Sequence, residues 1–416
     1  MQYKVNSEDG PLRFVITHSP GIEHDYVTPE NLNENNDNYL LFDDLIQTDK
    51  ARDEHRQLYN ILHHFTDGNC FEFIDLLKVV ISDKQTKEKL ITDCIKLEED
   101  LYNSKIDRNI LISLTPDDLI KVLLTGHNNN EKIFKNPIPN LIFTRDIAVC
   151  IGNTLLITWS KKDVRKRENI LAKHVFENHI FFKSMRVFDF HQNFPDLTIE
   201  GGDILIFDES RVCIGISERT PLESIKKLIK LFYEEKFSTI FAIDLPKKRA
   251  LMHLDTIFTK INTDEALIFP PILEEKYLNK LNTIFKFSDG KFEPKKISKN
   301  ILDVLSDSGL SMKFIKCGSN KIIDQLREQW TDGANAFALS PGKIIGYDCN
   351  KRTIEELKEA GYIEIDAFEY INNYKKYNLS KKKIIITFNG SELSRGRGGP
   401  RCLTLPLFRL EKWKKL

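Results

Sequence analysis

Ser394-Arg395-Gly396-Arg397-Gly398-Gly399-Pro400-Arg401-Cys402 gathers three glycines, a proline, three arginines and one cysteine near the C-terminal end of the chain. Glycine at that density frees the backbone for φ > 0 turns and for close approach to a ligand. Cysteine reacts as its thiolate, and nearby positive charge favours that form. The segment therefore reads as a nucleophile loop whose arginines help to ionise Cys402. A disordered arginine- and glycine-rich nucleic-acid tail is the rival reading. The strand-like run Leu403-Thr404-Leu405-Pro406-Leu407 behind the cysteine argues for folded structure instead.

Four other segments carry residue types suited to chemistry. Pro139-Asn140-Leu141-Ile142-Phe143-Thr144-Arg145-Asp146 ends on a carboxylate that, alone, reads as an ordinary turn residue. Glu200-Gly201-Gly202-Asp203 pairs two acids around two glycines, which suits a turn or a backbone passing close to something. In Met252-His253-Leu254-Asp255-Thr256, alternation puts His253 and Asp255 on one side of an extended segment. A solitary histidine is more often structural than catalytic. Leu41-Phe42-Asp43-Asp44 in isolation is a strand end.

The elements that must position these groups alternate short strands with capped helices. Arg211 to Ile216 reads as a strand, and Thr220-Pro221-Leu222-Glu223 supplies an N-cap, a first-turn proline and a capping-box glutamate. Leu222, Ile225, Leu228, Ile229 and Phe232 fall on one helical face, and Thr239 to Ile243 is the next strand. The same order recurs from Thr154 to Thr158 through Arg165-Lys166-Arg167-Glu168. It recurs again from Lys343 to Tyr347 through Thr353-Ile354-Glu355-Glu356 to Gly361 and a strand at Tyr362 to Ile365. An arginine (Arg165, Arg219, Arg352) opens each helix. A degenerate repeat of about 50 residues suggests a radially repeated architecture. Lys84 to Leu101 and Asp117 to Leu124 read as helices, so residues 77–132 are expected to form a helical insertion packed on the repeat domain. Asn372 to Lys383, rich in lysine and asparagine, reads as an exposed loop.

Composition narrows the class. With 416 residues, 41% hydrophobic and 29% charged, the chain has an ordinary globular balance. Lys+Arg and Asp+Glu both total 61, which gives no support for a nucleic-acid partner. The 7 cysteines are irregularly spaced, with no metal-ligand spacing and no disulfide framework. No apolar run reaches membrane-spanning length and the N-terminus lacks a signal-peptide core, so the expected setting is cytoplasmic and reducing.

Taken together, the segments resemble the arginine deiminase family of guanidino-modifying enzymes. Val15-Ile16-Thr17-His18-Ser19-Pro20-Gly21, Leu41-Phe42-Asp43-Asp44, Phe143-Thr144-Arg145-Asp146, Glu200-Gly201-Gly202-Asp203, His253-Leu254-Asp255-Thr256 and the Cys402 loop appear in the family's order across almost the whole chain. The resemblance implies an α/β fold: a five-bladed, pseudo-symmetric α/β propeller over residues 1–76 and 133–416, with the helical domain 77–132 inserted. It implies hydrolysis of free L-arginine to L-citrulline and ammonia, with neither metal nor organic cofactor, by a homo-oligomer (dimer or tetramer).

A guanidinium is planar, cationic and resonance-stabilised, and two carboxylates can grip its N–H groups in fork geometry. By resemblance these are Asp146 and Asp255. Cys402 is the nucleophile, forming a thiouronium intermediate; His253 is the general acid and base; Glu200 orients His253. The substrate's own cation also favours the thiolate. Arg165 and Arg219 match the clamp on the substrate carboxylate, although from pattern alone they read as surface residues. Asn140 and the Leu41 carbonyl match contacts to the amino-acid end, Phe143 walls the guanidinium, Gly396 belongs to the mobile loop, and Arg397 swings with it. Ile216 stands where some relatives have methionine, and Leu403 and Leu405 where others have methionines or small residues. An amidinotransferase using arginine as donor and a non-catalytic arginine-binding protein are the rival readings. The second is expected to have lost one of Asp146, Glu200, His253, Asp255 or Cys402. A methylated-arginine hydrolase fits less well, because those relatives are shorter and lack such an insertion.

Overall fold

The computed structural model describes residues 3–36, 39–274, 282–288, 291–297 and 299–411. Its strands form separate sheets of three to five strands and one two-stranded hairpin; among the described residues no sheet closes on itself. One grammar recurs. In the second sheet Ala148–Ile151 runs antiparallel to Thr154–Ile157, helix Lys166–Asn178 crosses over, and Arg186–Asp189 returns parallel. Ile204–Asp208, Arg211–Ile216, helix Leu222–Glu234 and Thr239–Asp244 repeat that order, extended by the hairpin Asn282–Ser288 and Lys291–Ile297. Phe258–Lys260 pairs antiparallel with Glu265–Ile268, which pairs parallel with Lys313–Lys316; Phe337–Ser340 pairs with Lys343–Tyr347, which pairs with Ile384–Phe388, and Ile363–Asp366 lies beyond it. In the first sheet Leu12–Thr17 lies between Cys70–Glu72, parallel after helix Thr48–Phe65, and Leu405–Arg409 from the far end of the chain. Pro406 is tolerated because its strand is a sheet edge.

The strands read as nearly continuous apolar runs because both their faces are covered: Ile204, Leu205, Ile206 and Phe207 are all buried. Residues 73–125 are helical in four pieces, Phe73–Ile81, Lys84–Tyr102, Arg108–Ser113 and Pro116–Thr125. Asp83 and Thr115 cap two of these through side-chain oxygens, and Asn103 and Gly126 end the same two in the left-handed conformation. Leu77, Leu90, Ile91, Leu119 and Leu123 join the same core as Leu155, Leu171 and Val175, so the helical segment shares the core of the sheets. Among the described residues no helix is long and apolar enough to cross a membrane.

Several expectations need correction. Helix Leu222–Glu234 has Pro221 as its cap position and no side-chain cap. The Thr220 hydroxyl instead accepts the Glu200 N–H at 3.2 Å, and Ser217 Oγ accepts the N–H groups of Arg219 and Thr220. Most of the stretch from Asn372 is not loop but helix Ala367–Leu379, kinked at Asn373, because Ala367 and Tyr370 bury one face. The last strand starts at Leu405, two residues later than the apolar run suggests, since Leu403 and Thr404 complete the turn that presents Cys402. Arg352 is exposed and pairs with Glu355, unlike Arg165 and Arg219, which are buried.

Candidate active site

The candidate residues sit at equivalent places in the repeat. Asp146 precedes the first strand of the second sheet, and Glu200 and Asp255 precede the first strands of the next two. Arg165 and Arg219 follow second strands, one at the end of the 3-10 turn Asp163–Arg165 and one in the turn before Leu222–Glu234. Cys402 lies in the turn before Leu405–Arg409. One small cavity is lined by Leu41, Asn140, Phe143, Asp146, Arg165, Arg219, His253, Gly396, Arg397 and Cys402, together with Arg249, Met252 and Thr256. Glu200 and Asp255 stand immediately behind it, hydrogen-bonded to His253 and Cys402 respectively.

His253 Nε2 lies 2.8 Å from Glu200 Oε2, and its Nδ1 lies 3.8 Å from Asp146 Oδ1. Burial opposes the imidazolium, but Asp146, Glu200 and Asp203 outweigh it and raise the His253 pKa to about 9. Glu200 is also buried, yet Arg219 and His253 hold it well below the usual carboxylate range. Its second oxygen accepts the Lys161 N–H at 2.9 Å. Asp146 accepts the Gly202 N–H at 2.9 Å and an Arg165 N–H at 2.6 Å. Glycine is required at 202: a Cβ there would stand 2.6 Å from His253 Nδ1. His253 is not part of an extended segment, because Leu254–Thr256 turns as a 3-10 helix stabilised by Leu254 N–H donation to Asp203.

Cys402 donates its thiol hydrogen to Asp255 Oδ2 at 3.6 Å. The expectation that three arginines ionise it does not hold in this state. Arg395 faces outward to Asp44 and Glu392, and Arg397 stacks on the Trp330 ring at 4.0 Å. Burial, then Asp255, Asp146 and Asp332, push the thiol pKa well up, and Arg401 only partly offsets them. Nor do the loop glycines adopt φ > 0; Arg397 does, at 67°. The glycines give room instead: a Cβ on Gly398 would stand 2.2 Å from Phe143 Cε1.

The cavity measures only about 20 Å³, because cations of the protein occupy the acceptors. Arg165 pairs with Asp146 and Glu168 and donates to the Asn140 carbonyl at 3.1 Å. Arg219 approaches Glu200 at 3.4 Å, and Arg401 pairs with Asp255 at 2.7 Å. Asn140 donates to the Leu40 carbonyl, while the Leu41 carbonyl accepts from Arg249. Asp146, Glu200 and His253 offer atoms within 4.8 Å of one another, but the arginines already paired with both carboxylates suit this trio to proton transfer.

A model of the arginine deiminase family matches residues 117–409. A curated arginine deiminase of Mycoplasma capricolum is 34% identical over 98% of each chain, and one of Borrelia duttonii is 33% identical over 98% of this chain and 99% of its own. The chain belongs to the arginine deiminase family. Two solved structures share the fold at low identity. The amidinotransferase from the saxitoxin pathway of Microseira wollei covers 99% of each chain with a TM-score of 0.52 and 12% identity. A dimethylarginine dimethylaminohydrolase bound to S-methyl-L-thiocitrulline covers 95% of this chain and all of its own, with a TM-score of 0.51 and 14% identity. These likenesses place the family in a mixed α/β fold.

Sequence reasoning gave Met252 and Thr256 no role and missed Arg249 and the segment Trp330–Asn335. Asn335 Oδ1 accepts the N–H groups of Arg401 and Cys402, and its amide donates to the Asp255 carbonyl. Its only signal was the Trp330-Thr331-Asp332-Gly333 run, an aromatic followed by turn residues.

Proposed function

We propose that this protein hydrolyses free L-arginine to L-citrulline and ammonia through the thiol of Cys402. The observation that carries this reading is the convergence of Cys402, His253, Glu200, Asp146 and Asp255 around one cavity in a chain of the arginine deiminase family. The incoming guanidinium takes the carboxylates of Asp146 and Asp255 from Arg165 and Arg401, and Phe143 walls its plane. Its positive charge relieves the two largest negative influences on Cys402, so the thiol loses its proton to solvent as substrate binds. The thiolate forms a C–S bond to the central carbon. His253, held as imidazolium by Glu200, protonates the departing nitrogen, and the C–N bond breaks to release ammonia. His253 then takes a proton from water, whose oxygen bonds to the thiouronium carbon. The C–S bond breaks, Cys402 leaves as thiolate, and the remaining hydroxyl proton passes to solvent as the carbonyl of citrulline forms. Arg165 and Arg219, once released, hold the substrate carboxylate; Asn140 and the Leu41 carbonyl hold its amino-acid end, and Gly396 and Arg397 move with the loop.

The five repeated sheets support a five-bladed, pseudo-symmetric propeller over residues 1–76 and 133–416, and the helical run supports residues 77–132 as an inserted domain. Seven unpaired cysteines support a reducing, cytoplasmic setting. The family resemblance supports a dimer or tetramer, which light scattering checks.

Product analysis with arginine, agmatine and methylarginine, each with and without glycine, tests the reading. Citrulline and ammonia from arginine without an acceptor support it; guanidinoacetate formed only with glycine makes the protein an amidinotransferase. Cys402→Ala should lose roughly a thousandfold or more in kcat, and retained activity would refute the nucleophile.

A further inference from the structure

Asp332 is a buried acid that the mechanism leaves unused. It follows helix Ile322–Trp330 with φ 61°, and it is 2% exposed. Its backbone is fully engaged: the N–H donates to the Gln329 carbonyl at 3.1 Å and the C=O accepts from Asn335 at 2.9 Å. Both carboxylate oxygens, however, are buried without a protein partner among the described residues. A carboxylate left in that condition is costly unless a cation reaches it. The charges that act on it are Arg397, Asp255, Arg249 and Asp43.

Of the two cations, Arg249 is committed: it donates to Tyr39, to the Leu41 carbonyl and to Asp43. Arg397 is not. One of its terminal nitrogens donates to the Trp330 carbonyl and the other reaches the Ala250 carbonyl only at 3.4 Å. Its Nε lies 3.3 Å from the Asp43 oxygen that Arg249 also approaches, without completing a hydrogen bond, and its backbone is left-handed. Arg397 also lines the cavity that is too small for an arginine molecule. A cation with an unmet donor, which substrate must displace, therefore neighbours an acid with two unmet acceptors.

We infer that Asp332 is a positioning residue that receives the Arg397 guanidinium when substrate fills the cavity, and so holds the cysteine loop in its occupied arrangement. The inference rests on the proposed arginine hydrolysis. It also completes the electrostatics of the nucleophile. Asp255, Asp146 and Asp332 are the acids that oppose Cys402 ionisation. Substrate neutralises the first two, and Arg397 neutralises the third. Loop closure and thiolate formation are then one event.

Asp332→Asn keeps the shape and removes the charge. Its KM for arginine should rise roughly tenfold or more, because Arg397 stays on Trp330 and competes with substrate. In the free protein, the 240 nm absorbance of the Cys402 thiolate should develop at lower pH than in wild type, an effect that mere loosening of the fold would not give. In an Arg397→Ala background the same substitution should leave KM unchanged. Kinetic constants within twofold of wild type, or effects of the two substitutions that simply multiply, would overturn the role. A crystal structure of Cys402→Ala with arginine bound decides the matter even if Asp332→Asn does not fold. Arg397 bonded to Asp332 supports the inference, and Asp332 still unpaired overturns it. A wild type that makes no citrulline sinks the proposed function; an active wild type beside an indifferent Asp332→Asn sinks only this inference.

Discussion

Cys402 and His253 rest in opposite conditions, a neutral thiol facing Asp255 and an imidazole favoured as its cation by Glu200 and Asp146. The free site is thus a proton donor waiting for a nucleophile, and the substrate's charge supplies what the thiol lacks. His253 should titrate near pH 9 by NMR in Cys402→Ala, where the thiol cannot interfere. Glu200→Gln removes one of the interactions that stabilise the imidazolium, so the His253 midpoint should fall by at least about one unit. A midpoint unchanged by Glu200→Gln would mean that Glu200 does not govern the ring. The acid–base pair was legible as residue types, whereas its protonation states were not. Those depend on burial and on Arg165, Arg219 and Asp203, which come from distant positions in the chain.

At the scale of elements, each site residue is delivered by a strand end or a tight turn, and glycines set how closely the turns approach. Gly201 and Gly398 leave no room for a Cβ against the Arg145 carbonyl and the Phe143 ring, at 2.0 Å and 2.2 Å. Gly396 has its nearest neighbour, Phe42 Cε1, at 3.1 Å, and that aromatic edge can yield. Gly398→Ala should therefore displace the loop from the Phe143 wall and lower kcat/KM by roughly a hundredfold with secondary structure intact. Gly396→Ala should cost much less. Steady-state kinetics beside circular dichroism check the order, and equal losses would show that flexibility, not close approach, is what these glycines supply. The capped helices and apolar strands were readable from local pattern because their signals are local. The helix at Ala367–Leu379 was not, because its apolar contacts are sparse and its polar face is long.

Across the whole molecule the two ends of the chain meet under the site. Glu8 accepts from Arg401 at 3.1 Å and 2.9 Å, and Arg401 in turn holds Asp255. Burial opposes the Glu8 carboxylate, but Arg401, Arg145 and Arg409 pull its pKa down to about 2. Stability from Glu8 is therefore present above the unfolded carboxylate range and lost as pH falls through about 2. His253 has the opposite sign. Its pKa rises from 6.5 unfolded to about 9 folded, so its contribution is complete below 6.5 and disappears as pH climbs through about 9. That contribution is on the order of 3 kcal/mol. Chemical denaturation should show stability declining from about pH 6.5 to about pH 9, with a flatter profile in His253→Asn. An equally steep decline in that variant would assign the slope to other groups.

From the sequence alone came the cysteine loop, the histidine and acidic segments, the repeat and the family, because residue types in a fixed order survive without coordinates. Only the tertiary structure could decide that Arg165, Arg219 and Arg401 pair with Asp146, Glu200 and Asp255, that the thiol faces a carboxylate, and that, among the described residues, Asp332 lacks a hydrogen-bond partner beside Arg397. Charge balance in a buried site is a sum over neighbours brought from all parts of the chain, and no local pattern carries that sum.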